Sequence, residues 1–219
     1  MHTGVVTVFL RWYLRRVERT EDPALADLHR RLLDGVAGEV VEVGCGRGAL
    51  FRHYPSAVEH LVAVEPDPAC RAAADVAARG AGVGEVVDVV DADAEHLPVD
   101  GASVDAVVFA EVLCSVPHPE RALAEARRVL RPGGRLHVYE HVRADPLWGA
   151  TLQRGVDLAG WSWVFGGCHT SRDTASQVER AGFAWERRER VWYTSAPLAA
   201  PAGPHVLGVA VAPVRTGRS

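Results

Sequence analysis

The sequence predicts an α/β protein built on a doubly wound, mostly parallel sheet. Short apolar runs alternate with helical stretches along the chain, which is the pattern of strand–helix–strand units. A turn with three glycines at alternate positions directly follows the first of these runs. The chain has 219 residues, which is enough for a continuous hydrophobic core. We therefore expect a single domain over residues 1–219.

Seven apolar segments are predicted as strands. The first five are separated by helical stretches and should run parallel. The connection between the last two contains Pro197, Pro201 and Pro204 and is too short for a helical crossover, so this pair is expected to be antiparallel. The segments span residues 39–43, 61–65, 85–90, 104–109, 135–142, 183–193 and 205–212.

Helices are predicted at four places, and a fifth region is expected to be helical in part. Proline at the first position marks the start of three of them, and the RPGG run at residues 131–134 marks the end of the third. Residues 1–35 as a whole are expected to form an N-terminal helical segment. The four helices span residues 23–33, 68–79, 119–130 and 172–181, and the aromatic-rich fifth region spans residues 147–165.

The composition excludes several kinds of chemistry. All 24 basic residues are arginine, so the chain has neither a Schiff-base lysine nor the lysine of a phosphate-binding loop. A net charge of −4 gives no overall attraction to nucleic acid. The four cysteines are scattered, without the spacing of metal ligands or of a disulfide framework, which predicts a reducing, cytoplasmic location and no metal site.

The apolar runs of the chain are short. None approaches the roughly 20 residues of a helix that spans a bilayer, and the opening run at residues 5–10 lacks the features of a signal peptide. Arg11 and Trp12 follow this run, and such residues also suit contact with a membrane interface. We expect an N-terminal helix packed on the domain, with peripheral membrane contact as the alternative. The sequence does not determine the oligomeric state.

The turn after the first strand is the most informative stretch, and it is expected to continue into a helix. Gly44, Gly46 and Gly48 permit a tight turn and let a ligand approach the bare backbone. Glu65 ends the second strand seventeen residues after Gly48, where a carboxylate can accept both hydroxyls of a ribose. Gly44, Gly46 and Ala49 also satisfy the looser dinucleotide fingerprint, so NAD and S-adenosylmethionine both fit these residues.

A polar loop after the third strand separates these two ligands. Residues 91–98 read DADAEHLP, and a side chain such as Asp93, together with free backbone amides, can bind the edge of an adenine. The alternative role of Asp93 is to cap the start of a helix. Together with the PGG at residues 132–134 and the antiparallel ending, this loop argues against a NAD-dependent oxidoreductase.

In their order and spacing, these motifs resemble those of class I S-adenosylmethionine-dependent methyltransferases. The resemblance covers about residues 25–212 and rests on residues 42–48 (EVGCGRG), Glu65, residues 93–98 (DAEHLP) and residues 130–134 (LRPGG). A narrower resemblance, to the animal microsomal alkyl-thiol methyltransferase family, rests on residues 112–116 (VLCSV), 139–142 (YEHV), 167–172 (GCHTSR) and 204–208 (PHVLG). That family methylates small thiols at a membrane surface. We expect no counterpart here of the longer hydrophobic anchor with which its members begin.

The resemblance implies a Rossmann-like fold, with a seven-stranded, mostly parallel sheet, an antiparallel last strand and helices on both faces. It implies S-adenosylmethionine as cofactor, with Glu42 at its amino group, Glu65 at its ribose, and Asp93 with the backbone of Ala94 at its adenine. Glu111 would lie beside the sulfonium; its alternative is a solvated carboxylate at a helix start. The implied cofactor-binding residues are Glu42, Gly44, Cys45, Gly46, Gly48, Glu65, Pro66, Asp93, Ala94, Glu95, Ala110 and Glu111.

The resemblance also implies methyl transfer to a small molecule. The residues favour an apolar acceptor, and the narrower resemblance implies that the methylated atom is a thiol sulfur. Five of the six tryptophans follow residue 147, and an insertion at residues 143–171 is expected to cover the acceptor site. N- or O-methylation of a phospholipid or natural product is one alternative. A non-catalytic cofactor-binding subunit is another.

Two histidines are candidate bases for a thiol proton. His141 ends the fifth strand, and His169 lies in a glycine-flanked segment that should border the same cleft; a structural hydrogen bond is the alternative role of each. Cys114 and Cys168 have no paired base at a recognisable spacing. We interpret both cysteines as small buried packing residues.

Overall fold

All seven predicted strands are present and form one sheet. They are β1 (Gly38–Val43), β2 (Val58–Val64), β3 (Val87–Val90), β4 (Val104–Ala110), β5 (Leu130–His141), β6 (Ala184–Trp192) and β7 (Pro204–Val211). In the computed structural model, which describes residues 22–194 and 197–213, the sheet order is β3-β2-β1-β4-β5-β7-β6. Neighbours are parallel from β3 to β5, and β7 is antiparallel to both β5 and β6. Among the described strands, β7 alone runs against the rest, which confirms the predicted architecture.

The described residues contain six α-helices, which include the four helices predicted by their bounds and the region predicted to be helical in part. They are α1 (Pro23–Leu33), α2 (Pro68–Ala81), α3 (Pro119–Val129), α4 (Leu147–Leu158), α5 (Trp161–Val164) and α6 (Thr174–Arg180). The first three begin at proline because its fixed φ suits the first turn and its missing N–H is not needed there. The partly helical region 147–165 is divided into α4 and α5 by Gly160, whose φ is 100°.

The core lies in two layers, one on each face of the sheet. Side chains alternate along a strand, so Val41 and Val43 of β1 pack with α3 and α6, whereas Val40 packs with α1 and α2. Because both faces are covered, the central strands are apolar almost throughout. This arrangement leaves the carboxyl ends of the parallel strands as the edge where a ligand can bind.

The segment after the glycine turn differs from the prediction. A short 3-10 turn, Phe51–His53, stands where an α-helix was expected. Pro55 ends it, because the residue before a proline is pushed into an extended conformation, and Tyr54 has φ −62° and ψ 131°.

The start of β5 also differs from the prediction. The RPGG run was expected to separate α3 from the strand, but β5 begins at Leu130, directly where α3 ends. Leu130 pairs with Val104 and Arg135 pairs with Ala106, so residues 131–134 form an irregularity within the ladder. The glycines and proline of this run therefore shape a bulge.

The predicted apolar and basic N-terminal segment, residues 5–16, lies outside the described residues. Within the part of the chain that the structure describes, no helix is both long and apolar enough to cross a membrane.

Candidate active site

The glycine turn lies at the carboxyl end of β1, in the middle of the sheet. Gly44 and Gly46 have φ values of 68° and 55°, a region that favours glycine. A Cβ atom at Gly44 would lie 2.7 Å from Val112 Cγ2, whereas a Cβ atom at Gly46 would meet nothing within 4 Å. The turn is therefore packed against the loop after β4 on one side and open on the other.

The carboxylate of Glu65 lies across this turn, directly after β2. Its Oε2 accepts a hydrogen bond from the Gly46 N–H (3.0 Å), and its Oε1 accepts one from the Asp67 N–H (2.9 Å). Pro66 lies between Glu65 and Asp67 in the sequence and is exposed. The structure thus brings the predicted ribose position into direct contact with the glycine turn.

Glu42 and Cys45 are the buried titratable groups of the turn. Glu42 is 3% exposed, and the Tyr54 hydroxyl donates a hydrogen bond to its Oε2 (2.9 Å). Burial raises the pKa of Glu42 to about 8, which exceeds the lowering effect of that hydrogen bond. Burial and the charge of Glu42 also raise the pKa of the Cys45 thiol, so this cysteine is unsuited to act as a nucleophile.

The loop after β3 carries Asp93, Ala94 and Glu95. The Asp93 carboxylate accepts a hydrogen bond from the Glu95 N–H (2.8 Å) and lies 3.1 Å from His96 Nδ1, so it caps a turn rather than a helix. Ala94 is buried. Glu95 forms an ion pair with Arg121 of α3 (3.1 Å), and its carboxylate is therefore engaged by the protein.

Glu111 follows Ala110 at the end of β4, where the chain turns sharply. Its φ of 60° is a strained conformation that costs a non-glycine residue about 1–3 kcal/mol and is often found at functional positions. The side chain is 46% exposed, and Oε1 lies 3.3 Å from His205 Nε2 and 3.7 Å from His141 Nε2. The alternative prediction is wrong in one part, because no helix starts at Glu111, although its carboxylate is partly solvated.

The other ring nitrogen of His141 faces two thiols. Nδ1 lies 3.3 Å from Cys114 Sγ and 3.6 Å from Cys168 Sγ. Both cysteines are buried, as expected, but each has the His141 imidazole as a neighbour, which their spacing in the sequence did not indicate. The loop after β4, the end of β5 and the loop after α5 meet here, and this convergence carried no local sequence signal.

His169 approaches the same place through its backbone. Its N–H donates a hydrogen bond to the Cys114 carbonyl (2.8 Å), and its side chain is half-buried. Cys114, His141 and Cys168 therefore form a cluster, to which His141 contributes its ring and which His169 joins only through its main chain.

The groups around His141 shift one another's pKa values. Burial lowers the pKa of His141, but contact with Cys168 and the negative charge of Glu111 raise it to about 9. The hydrogen bond between the two thiols lowers the pKa of Cys168 and raises that of Cys114. Partial burial raises the pKa of Glu111, but the hydrogen bond from His205 and the charge of His141 lower it to about 2. The cluster therefore favours a charged imidazole between a thiolate and a carboxylate.

Glu140 has a structural role that the sequence analysis missed. Its side chain is fully buried and accepts hydrogen bonds from the N–H groups of Val112 (2.7 Å), Leu113 (2.8 Å) and Cys114 (3.0 Å). These bonds fix the turn that carries Cys114. The available signal was an acid in a buried strand, because a buried carboxylate must find hydrogen-bond donors.

Two polar side chains, one buried and one partly buried, fasten α4 beside this cluster. Gln153 accepts a hydrogen bond from the Ala144 N–H (2.7 Å) and donates one to the Val142 carbonyl (3.2 Å). The carboxylate of Asp157 accepts hydrogen bonds from the backbone and hydroxyl groups of Thr170 and Ser171. These contacts tie the 143–171 segment to the end of β5.

The aromatic residues in and directly after α5 point in different directions, as their spacing predicts. The rings of Trp161 and Phe165 stack with centroids 3.9 Å apart. Trp163, which lies between them in the sequence, is 89% exposed. The segment therefore presents one aromatic pair to the protein and one tryptophan to its surroundings.

The residues at the carboxyl edge fit S-adenosylmethionine. Glu42 is a buried carboxyl whose hydrogen-bond partner is a hydroxyl, which suits a ligand with positive charge. The open side of the turn at Gly46 leaves room for a ligand against bare backbone, and Glu65 borders it. Together these features suit a cationic nucleoside better than a neutral one.

Known proteins match both the sequence and the fold. The profile of the methyltransferase domain family matches residues 41–138. Thiol S-methyltransferase TMT1B from Mus musculus is 35% identical in an alignment 195 positions long, which covers 82% of this chain and 73% of the relative. Thiol S-methyltransferase TMT1A from Homo sapiens is 36% identical in an alignment 176 positions long, which covers 78% of this chain and 70% of the relative.

A solved structure supports the fold. Geranyl diphosphate C-methyltransferase from Streptomyces coelicolor, in complex with S-adenosyl-L-homocysteine, superposes with a TM-score of 0.62 at 18% identity and covers 86% of this chain and 75% of its own. The relatives confirm an enzyme that uses S-adenosylmethionine, and they set aside the NAD-dependent and non-catalytic alternatives. The chain belongs to the TMT1 thiol S-methyltransferase family of class I S-adenosylmethionine-dependent methyltransferases.

Proposed function

We propose that this methyltransferase methylates the sulfur of a small, apolar thiol. The observation that carries the proposal is the convergence of Glu111, His141 and His205 at the carboxyl edge of the sheet, close to the loop that packs on the glycine turn. The relatives TMT1A and TMT1B are named thiol S-methyltransferases, which supports the same class of acceptor.

The chain's own residues have two tasks in this reaction. S-Adenosylmethionine supplies an electrophilic methyl group on a sulfonium sulfur. Alignment of the acceptor contributes up to about 7–11 kcal/mol in favourable cases, and we assign it to the loops after β4 and β5. The second task is to favour the thiolate form of the acceptor, because a free thiol has a pKa of about 8.5 and is largely protonated at neutral pH.

We assign stabilisation of the acceptor's thiolate to the charged imidazole of His141, with Glu111 as its partner. The Glu111 carboxylate lies 3.7 Å from His141 Nε2, and its negative charge helps to keep that ring protonated. The acceptor loses its proton to solvent, its sulfur forms a bond to the methyl carbon, and the bond from that carbon to the sulfonium breaks. The products are a thioether and S-adenosyl-L-homocysteine. His169, the second predicted base, is proposed to border the acceptor.

The proposed cofactor contacts follow the order of the strands. Glu42 lies at the amino group, the glycine turn at the methionine moiety, Glu65 and Pro66 at the ribose, and Asp93 with Ala94 at the adenine. Buried Glu42 and the contact between Glu65 and Gly46 support this order. The ion pair of Glu95 with Arg121 supports a role for Glu95 in holding the adenine loop.

We propose that the 143–171 segment forms the wall of the acceptor site and selects apolar molecules. Gln153 and Asp157 anchor it next to Cys168, and the stacked Trp161 and Phe165 supply apolar surface. Aromatic walls favour lipophilic acceptors because they bury apolar area without requiring hydrogen bonds.

A panel of matched acceptors tests the thiol assignment. Purified protein and S-adenosylmethionine are incubated with hexanethiol, hexanol, hexylamine and phenol, and with glutathione as a charged thiol, and the methylated product is identified by mass spectrometry. We expect S-methyl hexanethiol as the main product and little turnover of glutathione. Methylation of the amine or phenol in preference to hexanethiol would overturn the assignment in favour of an N- or O-methyltransferase.

We further propose a cytoplasmic location with peripheral contact between the 143–171 segment and a membrane. The free cysteines of the described residues suit a reducing compartment. Leu147, Trp148, Leu158 and Trp163 are strongly exposed, and tryptophans on such a surface suit a membrane interface.

Vesicle sedimentation tests this contact. Trp148→Ala and Trp163→Ala should lower the bound fraction on phosphatidylcholine vesicles. Trp192→Ala is the matched control, since Trp192 is also exposed but lies on β6. An equal effect of all three substitutions, or no binding by the unmodified protein, would contradict the proposal. A tagged protein in fractionated cells reports the compartment, and recovery from an oxidising compartment would contradict the cytoplasmic location.

A further inference from the structure

We propose that Cys114, His141 and Cys168 form a binding site for one zinc ion. The two Sγ atoms and one imidazole nitrogen all lie within 4.8 Å of one another, on residues that are buried or nearly so. Two thiolates and an imidazole are ligands that Zn²⁺ prefers, and they exclude the hard cations Mg²⁺ and Ca²⁺. No spacing motif indicated this site, because Cys114 and Cys168 each lie 27 residues from His141 in the sequence.

The distances match the edges of a tetrahedral zinc site. With Zn–S bonds of about 2.3 Å and Zn–N bonds of about 2.0–2.1 Å, a sulfur and a nitrogen ligand should be about 3.5 Å apart. The observed separations of His141 Nδ1 from the sulfurs of Cys114 and Cys168 are 3.3 Å and 3.6 Å. Both sulfurs approach the same ring nitrogen, which a metal site needs and a simple thiol–imidazole hydrogen bond does not.

The surroundings of His141 also have the form of a zinc site. A histidine that binds metal through one ring nitrogen usually donates its other N–H to a carboxylate, which orients the ring. His141 Nε2 lies 3.7 Å from Glu111 Oε1, and His205 in turn lies 3.3 Å from that oxygen. Glu111 is thus placed to orient the ligand without binding the metal itself.

The backbone holds the two cysteines in place independently of any ion. Glu140 fixes the Cys114 amide, and the His169 N–H donates to the Cys114 carbonyl, which joins the two cysteine loops. Gly167 allows this approach, because a Cβ atom there would lie 2.7 Å from the Ser115 carbonyl oxygen. A preformed set of ligands lowers the ordering cost of binding a metal.

Charge and coordination number favour a site that takes part in catalysis. Two thiolates neutralise Zn²⁺, so the complex suits its buried position. Three protein ligands leave the fourth position open, as in catalytic zinc sites. This step rests on the thiol acceptor proposed above: its sulfur is a ligand of the right softness for that position, and it would bind as a thiolate after losing its proton to solvent.

Metal analysis of the intact protein tests the site. The full chain is purified with a reductant and without chelator, and its metal is measured by inductively coupled plasma mass spectrometry. We expect one zinc ion per chain, and after exchange for Co²⁺ we expect the absorption of a tetrahedral ion with a sulfur-to-cobalt charge-transfer band. Cys168→Ser should abolish stoichiometric binding, and Glu111→Gln should weaken zinc affinity by about 10–100-fold while both sulfur ligands remain.

Cys70→Ser is the matched control, because Cys70 lies on α2 outside the cluster and should leave the zinc content unchanged. The circular dichroism spectrum and the urea midpoint show that each variant is folded. Zinc far below one per chain in the unmodified protein, no charge-transfer band with Co²⁺, or a Cys114–Cys168 disulfide under reductant would overturn the proposal. These measurements need no acceptor, so their outcome is distinct from that of the thiol panel.

Discussion

The carboxylate of Glu140 accepts a hydrogen bond from the backbone N–H of Cys114 at 3.0 Å, and the same side chain holds the two preceding amides. One buried acid on β5 therefore sets the path of the loop that follows β4. That loop carries Cys114 and packs Val112 against Gly44, so this contact links the acceptor side of the site to the glycine turn.

Replacement of Glu140 by glutamine should destabilise the fold. Glutamine has one acceptor oxygen, and its amide nitrogen would face an N–H group. A buried donor left without a partner costs about 1–3 kcal/mol, and we expect Glu140→Gln to lower the free energy of unfolding by about 2 kcal/mol. Urea denaturation measures this change. Glu120→Gln on the exposed side of α3 is the control, and equal stability of the two variants would show that the hydrogen bond lost in Glu140→Gln contributes nothing.

Loss of the Glu65 carboxylate should weaken cofactor binding. Glu65 accepts the Gly46 N–H and lies where the ribose is proposed to bind. Because a hydrogen bond to a charged group contributes about 1.5–3 kcal/mol, Glu65→Ala should weaken the affinity for S-adenosyl-L-homocysteine by at least about tenfold. Isothermal calorimetry measures the affinity. Glu59→Ala, at the other end of β2, should bind as the unmodified protein does, and a similar loss in both variants would count against a specific role for Glu65.

The cofactor half of the site could be predicted from the sequence because its signals are local. The turn with Gly44 and Gly46 is continuous with β1, and Glu65 ends the next strand, so strand order alone brings them together. The parallel strands and the antiparallel ending were predictable for the same reason. The 3-10 turn before Pro55 was not foreseen because the restriction by that proline outweighed the usual continuation into a helix.

The other half of the site depends on contacts between distant segments. Cys114, His141 and Cys168 show no motif spacing, and they meet because β4 and β5 are neighbours and α4 is anchored by Gln153. Glu140 likewise gives a signal only when its burial is known. Residue type predicts chemistry within one turn, but the partners of a buried side chain depend on the tertiary fold.

Cofactor binding should release a proton from Glu42. Burial raises the pKa of Glu42 to about 8, so the carboxyl carries a proton at pH 7, and a cationic ligand beside it would favour the ionised form. Affinity for S-adenosylmethionine should therefore increase from pH 6.5 to pH 8, by up to about tenfold per pH unit. The binding enthalpy at pH 7 should also vary with the ionisation enthalpy of the buffer.

Two substitutions test the assignment of this proton. Glu42→Gln should remove the buffer dependence. Tyr54→Phe removes the hydrogen bond that lowers the pKa of Glu42, and it should move the proton release to higher pH. A binding enthalpy that is the same in all buffers for the unmodified protein would rule out proton release from Glu42.

His137 should make the fold sensitive to acid. Its ring is buried in β5, Nδ1 donates a hydrogen bond to the Leu32 carbonyl (2.7 Å), and Nε2 is buried without a partner in the described structure. Burial lowers the pKa of His137 to about 4, whereas the unfolded chain has a value of about 6.5. Between these values the unfolded state binds one more proton than the folded state, so stability falls as the pH falls from about 6.5 to about 4.

This shift predicts the size of the effect. From pH 7 to pH 5, titration of His137 should lower the free energy of unfolding by about 2 kcal/mol. Between pH 7 and pH 5, His137→Leu should therefore lose about 2 kcal/mol less stability than the unmodified protein does. At pH 7 the variant should itself be less stable than the unmodified protein, because the Leu32 carbonyl loses its hydrogen-bond donor. His118→Gln, at an exposed position before α3, should retain the full pH dependence. Urea denaturation at the two pH values measures the difference, and parallel losses in all three proteins would assign the acid sensitivity to other groups.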